Sequence, residues 1–111
     1  FGKKYELIFE SGELKSQQYR TDIGRIDILA KKRSDNSYVV IELKRNQTSD
    51  DTVGQVTRYM GWVQEKFGDN NVCGVIVAGK YDEKLYYAQK MLKNIEVFLY
   101  EVNFKLNEYK K

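Results

Sequence analysis

The sequence predicts an α/β fold built around a central mixed sheet, and three observations predict it. Two short, apolar, β-branched runs, Gly24–Ala30 and Val39–Lys44, flank the polar stretch Arg33–Ser37, which is the pattern of an antiparallel hairpin. Val53, Val56, Met60, Val63 and Phe67 then recur at spacings of three and four, the period of a helix with one buried stripe. Val72–Ala78 is a nearly unbroken apolar run, as expected of a strand covered on both faces. A hairpin followed by alternating helix and strand requires crossover connections, and crossovers place parallel strands beside the antiparallel pair.

The elements follow in order. Tyr5–Phe9 is a short apolar-rich stretch, and Glu10-Ser11-Gly12-Glu13 reads as a turn. Gln18–Thr21 reads as a strand, with Asp22-Ile23-Gly24 turning into the Asp27 strand. Asn46–Asp51 is a polar connection in which Asp50 or Asp51 can cap the following helix. Gly68-Asp69-Asn70-Asn71 ends that helix. Asp82–Lys93 is a second amphipathic helix with Leu85, Ala88 and Leu92 inward, and Ile95–Phe104 is the last strand.

At 111 residues the chain reads as one domain, spanning 1–111. There is no repeat, low-complexity segment or proline to divide it. The single cysteine, Cys73, permits no internal disulfide, and its valine neighbours suggest a buried thiol. The absence of histidine excludes Ser-His and Cys-His catalysis and imidazole metal sites. No apolar stretch approaches the ~20 residues of a membrane span, and with no signal peptide visible a cytoplasmic location is the default. Starting at Phe1 rather than Met, the chain reads as a fragment of something longer. A net charge of +3 permits nucleic-acid binding without requiring it. The basic residues Lys31, Lys32, Arg33, Arg45 and Arg58 are the candidates for contact with phosphates.

The chemistry concentrates in two strands. Residues i and i+2 of a strand share a face, so Glu42 and Lys44 point the same way, with Tyr38 and Val40. Val39, Ile41 and Leu43 point to the other face. Pairing as a hairpin brings Asp27 beside Glu42. Two carboxylates with a lysine at their side form a site for a hard divalent cation. A lone strand Asp would ordinarily face solvent, and a Glu-x-Lys pair would ordinarily be a surface ion pair of little energetic value. A polar cluster set into apolar runs fits neither reading.

The pattern Gly24-Arg25-Ile26-Asp27, then Glu42-Leu43-Lys44, then Gln55-x-x-x-Tyr59 resembles the PD-(D/E)XK nuclease superfamily. The Gln-x-x-x-Tyr element resembles its RecB-like branch. The full string is most similar to the C-terminal nuclease domain of NucS-type endonucleases, over about Gln18 to Val102. The resemblance implies a restriction-endonuclease-like α/β sandwich, its central mixed sheet flanked by helices. It implies metal-dependent endonucleolytic cleavage of DNA in repair or restriction, leaving a 5′-phosphate and a 3′-hydroxyl.

In that reading Asp27, Glu42 and the backbone carbonyl of Leu43 hold Mg²⁺ or Mn²⁺, an all-oxygen donor set unsuited to zinc. Lys44 orients or deprotonates the attacking water, or stabilises the charge that develops. Gln55 contacts the site or the substrate strand, and Tyr59 braces Lys44 or a carboxylate from behind. The expected partners are DNA, other domains of the same polypeptide and a second copy of the chain. RecB-like and NucS-like nucleases carry a further acidic residue on a helix before the first strand. This sequence leaves almost no room for that helix, and Glu6, Glu10 and Glu13 are candidates by position alone. The alternative reading is a non-catalytic nucleic-acid-binding module that keeps the nuclease fold. Gly74–Lys80 matches the spacing of a phosphate-binding P-loop, but Tyr81 stands where a hydroxyl ligand is required and the intervening residues are strand formers.

Overall fold

The structure is a computed structural model that describes residues 5–7, 9, 10, 13, 14 and 17–99, with side chains described from 19 to 99. Strands β1 (Tyr5–Leu7), β2 (Phe9–Glu10), β3 (Glu13–Leu14) and β4 (Gln17–Thr21) precede the hairpin of β5 (Gly24–Lys32) and β6 (Tyr38–Lys44). Helix α1 (Ser49–Phe67), β7 (Cys73–Ala78), α2 (Glu83–Lys90) and β8 (Ile95–Leu99) follow. The main sheet runs β1-β5-β6-β7-β8, with β4 sharing the outer edge of β5. β5 pairs antiparallel with β6, and β6-β7 and β7-β8 are parallel, so the sheet is mixed. β2 and β3 pair antiparallel as a small separate sheet; Ser11 and Gly12 of the expected turn lie outside the described residues.

Both crossovers advance in the same direction across the sheet, so right-handed connections put both helices on one face. The core confirms this placement. Val56, Tyr59, Met60 and Val63 of α1 and Leu85 of α2 cluster with Val40, Ile76 and Ile95 of the sheet. On the other face Ala30, Val39, Ile41 and Val75 form a second buried cluster. Each fully buried aliphatic side chain stabilises the fold by about 1.5–3 kcal/mol. A charge at Val63, which is 0% exposed, would break the seam between α1 and the sheet.

Gly74 sets how closely α1 approaches. A β-carbon there would lie 2.7 Å from the Met60 sulfur and 3.1 Å from Val56. Only a bare backbone lets the helix sit this low on β7.

Three local expectations are corrected. Thr48, not Asp50 or Asp51, caps α1: its side chain accepts from the Asp51 amide at 3.2 Å, leaving both aspartates in the first turn. α2 spans Glu83–Lys90 rather than Asp82–Lys93, because Asp82 is its N-cap and Met91 closes it. Cys73 is half-buried rather than buried, at the margin of the second cluster. The part of the last expected strand beyond Leu99 lies outside the described residues.

Candidate active site

The β5–β6 ladder runs from Lys31↔Tyr38 to Ile28↔Ile41. Beyond that pair, side chains take over from backbone. The Asp27 amide donates to Glu42 Oε2 at 3.1 Å, and the Leu43 amide donates to Asp27 Oδ2 at 2.9 Å. Each strand thus offers a carboxylate to the other strand's backbone, in a reciprocal clasp that holds the two strands apart and their acids together. The facing of β5 slips at the same place. Ile26 and Leu29 both belong to the helix-side core although three residues apart, which strict alternation forbids. The slip falls at Asp27-Ile28, where the strand leaves the ladder.

Glu42 is 1% exposed. Burial pushes its carboxyl up to about 7, the neighbouring Asp27 carboxylate adds to the rise, and the Asp27 amide and Arg45 oppose it. Such a buried acid beside a second acid is half-charged near neutrality and gains from a nearby cation. The N–H and C=O of one strand residue lie on the same edge. The Leu43 carbonyl therefore faces the edge from which its amide reaches Asp27. The described residues contain no cluster of three or more His, Cys, Asp or Glu. The donor set in view is two carboxylates and one carbonyl, all hard oxygens that suit Mg²⁺ or Mn²⁺. Strands β1, β2 and β3 carry Glu6, Glu10 and Glu13, whose side chains lie outside the described residues.

Lys44 shares the helix-side face with Glu42, as the alternation requires. Its ammonium pairs with Asp82 Oδ2 at 2.9 Å. The Ser49 hydroxyl donates to the same oxygen, and Asp82 Oδ1 accepts the Lys84 and Leu85 amides that open α2. These bonds hold Asp82 well below the usual carboxylate range, the Ser49 hydroxyl contributing most and Lys44 next. Asp82 and Ser49 are the residues that sequence reasoning missed at this end of the sheet. Their signal was ambiguous, because an Asp before an amphipathic helix reads as a cap, which Asp82 also is.

Gln55 projects from the first half of α1, and its side-chain oxygen accepts from Gln47 Nε2 at 3.0 Å. That bond ties the loop after β6 to the helix. Tyr59 is buried, and its hydroxyl sits against Gly24 rather than in a described bond to Lys44 or either acid. A β-carbon on Gly24 would overlap that hydroxyl, and Gly24 has φ +138°, which side chains rarely tolerate. Tyr59 therefore anchors the start of the strand that carries Asp27.

Arg45 is exposed at the end of β6, and Arg58 is exposed with its guanidinium over Gly54. Lys31, Lys32 and Arg33 are not brought to the site. Lys31 stands four positions along β5 from Asp27, about 13 Å at the rise of a strand. It lies over the Tyr38 ring, and Lys32 is engaged by the Cys73 thiol.

The sequence profile of the Endonuclease NucS C-terminal domain family matches residues 2–109. The chain belongs to this family. Endonuclease NucS of Methanocaldococcus jannaschii is 33% identical over 88 residues, 79% of this chain and 32% of the relative. The Sulfolobus acidocaldarius Endonuclease NucS is 33% identical over 92 residues, 83% of this chain and 34% of that protein. The chain thus spans about a third of the length of the curated relatives it matches. Among solved structures, an EndoMS–dsDNA complex superposes with a TM-score of 0.69 at 22% identity, covering 92% of this chain and 38% of the other. A repair endonuclease from Pyrococcus abyssi gives 0.68 at 24% identity, covering 88% and 39%. At these identities the structural matches establish a shared α/β fold. In this chain Asp27, Glu42 and Lys44 lie where β5 and β6 part. Among the described residues no helix is long and apolar enough to cross a membrane.

Proposed function

We propose that this domain is the nuclease part of a DNA repair endonuclease of the PD-(D/E)XK type, hydrolysing phosphodiester bonds with Mg²⁺ or Mn²⁺. The observation that carries the reading is the Asp27–Glu42 clasp, in which two acids are pressed together at a break in the sheet and one is raised to about 7. A fold needing only stability would not bury Glu42 beside Asp27, because an uncompensated buried charge costs several kcal/mol.

Asp27, Glu42 and the Leu43 carbonyl would hold the cation. When bound, it supplies Lewis-acid neutralisation of the charge that builds on the phosphate. The chain's own residues supply the rest. The clasp fixes both carboxylates through backbone amides, so neither must reorganise during reaction. Lys44 stands one strand step beyond Glu42 on the same face, placing a positive charge beside the reacting phosphate and the water that attacks it. Gln55, on the helix end facing this edge, offers an amide to the scissile strand. Exposed Arg45 and Arg58 flank the site as phosphate contacts. The names of the relatives and the DNA complex of the structural neighbour support DNA as the substrate.

The test is cleavage of a panel of labelled duplex, mismatched, branched and flapped DNAs by the protein as its gene encodes it, with Mg²⁺, Mn²⁺ or EDTA. Metal-dependent cleavage that EDTA stops and Glu42→Gln abolishes is the expected result. Binding of the panel with no cleavage under any metal would replace this reading with that of a non-catalytic nucleic-acid-binding module.

A further inference from the structure

An ion pair joins Lys44, at the end of β6, to Asp82, the N-cap of α2. Lys44 and Asp82 meet at 2.9 Å with side chains only 17% and 22% exposed. Both oxygens of Asp82 are committed: Oδ1 to the Lys84 and Leu85 amides at 3.0 and 3.2 Å, Oδ2 to Lys44 and to Ser49, the first residue of α1. The carboxylate therefore cannot swing. It is fixed to the N-terminus of one helix and touches the N-terminus of the other.

We propose that Asp82, steadied by Ser49, is a positioning residue that holds the Lys44 ammonium at the edge of the site and keeps it off the metal-binding carboxylates. The inference rests on the nuclease reading of Asp27, Glu42 and Lys44.

A free lysine one strand step from two acids has an obvious alternative partner. Its stem has four rotatable bonds, and a collapse onto Glu42 or Asp27 would satisfy the ammonium while occupying the oxygens a cation needs. Asp82 offers a competing anion at the N-cap of α2. The lysine is then ordered before substrate arrives, and the two acids stay available. This arrangement also explains why Asp82 both caps a helix and binds a cation. The cap makes the carboxylate rigid, and only a rigid carboxylate can fix the position of a flexible side chain.

Two substitutions at one position separate the roles. Asp82→Asn keeps an oxygen for the Lys84 and Leu85 amides, and Asn caps helices as well as Asp does. It removes the charge that holds Lys44. Asp82→Glu keeps the charge but is too long to cap in the same way. If Asp82 positions Lys44, the two variants rank in opposite orders. Asn keeps the cap and so melts closer to wild type than Glu does, yet loses on the order of 10- to 100-fold in kcat. Glu melts lower and keeps more of kcat. The Kd for uncleaved DNA, measured in Ca²⁺, stays within about threefold for both. Ser49→Ala lowers kcat in the same direction by a smaller factor.

A second readout does not depend on activity. The ¹⁵N signal of the Lys44 ammonium in the intact protein should show a slowly rotating, hydrogen-bonded group, and that signature should vanish in Asp82→Asn. Wild-type turnover in Asp82→Asn, or a kcat that merely follows melting temperature across the variants, overturns the proposal. If wild type cleaves no DNA, the nuclease reading has failed and the catalytic part of the proposal goes with it. The ammonium signal then still decides whether Asp82 fixes Lys44: loss in Asp82→Asn upholds the holding contact, and an unchanged signal removes it.

Discussion

The β5–β6 hairpin has two ends, and they obey different rules. At the turn end the backbone ladder is intact and the side chains satisfy one another. Lys31 lies 5.0 Å from the centre of the Tyr38 ring, Tyr38 stacks on Phe67 at 4.4 Å, and the Tyr38 amide donates to Asp69 at 2.7 Å. At the open end the ladder stops, strand alternation slips, and two carboxylates take over backbone hydrogen bonds. The same two strands thus carry one stretch optimised for stability and one that sacrifices it. Local rules that make a sheet stable are broken at the place where a cation could be held, and kept everywhere else along the pair.

The largest effect that would break the comparison is on chemistry. Glu42→Gln keeps an oxygen for the Asp27 amide but removes the charge, so cleavage should fall by about 10²–10³-fold or more while the fold survives. Lys31→Gln, on the same hairpin, should leave kcat unchanged. Parallel kinetics on one DNA substrate compare the two ends directly, and similar losses would erase the distinction.

The next effect is on stability against pH. The folded-state pKa of Glu42 lies near 7, above its ordinary value of 4.5. The folded state therefore holds a proton that the unfolded state has lost, and stability falls as pH rises from about 4.5 through 7. The full loss for a shift of this size is about 3 kcal/mol. Urea melts of the metal-free protein at pH 5 and 8 should show that decline, and Glu42→Gln should flatten it. A wild type as stable at pH 8 as at pH 5 would mean that the open end carries no such strain.

A smaller effect tests how the open end is anchored. Gly24→Ala meets the Tyr59 hydroxyl and adopts a strained φ, so it should destabilise the fold by about 1–3 kcal/mol. Tyr59→Phe removes the hydroxyl and should recover part of that loss in the double variant, a coupling that thermal melts can measure. Additive losses would show that Tyr59 and Gly24 do not support each other. The smallest effect is at the turn end. Lys31→Gln gives up a cation–π contact of about 0.5–1 kcal/mol. If DNA reaches that far, it also lowers the salt slope of binding by about one unit.

Much of the site was legible because acids inside apolar strands are conspicuous. Asp27 between two isoleucines and Glu42 after Val39-Val40-Ile41 are acids set into apolar runs, and hairpin pairing brings the two strands' acids near each other. The middle of the helix stripe and the buried strand were equally plain, since periodicity reports burial; at the stripe's ends Val53 is only half-buried and Phe67 is exposed. What was not legible depends on long-range contact. Nothing near Tyr59 in the chain points to Gly24, and nothing near Lys44 points to Asp82. Thr48 capped α1 in place of two nearby aspartates because capping depends on backbone placement, which residue type only biases. Lys31, Lys32 and Arg33 stand out in the sequence as basic candidates for phosphate contact, and the strand sets even Lys31 about 13 Å from Asp27.

The central claim is that Asp27 and Glu42 form a cation site already assembled before metal binds. Thermal melting of wild type and Glu42→Gln across a Mn²⁺ titration at pH 8 tests it most directly. Wild type should gain stability with rising Mn²⁺, about 2.7 kcal/mol at a hundredfold excess over Kd, while Glu42→Gln gains little. A wild type that Mn²⁺ leaves unmoved, or a Glu42→Gln variant that rises as steeply, would contradict the account.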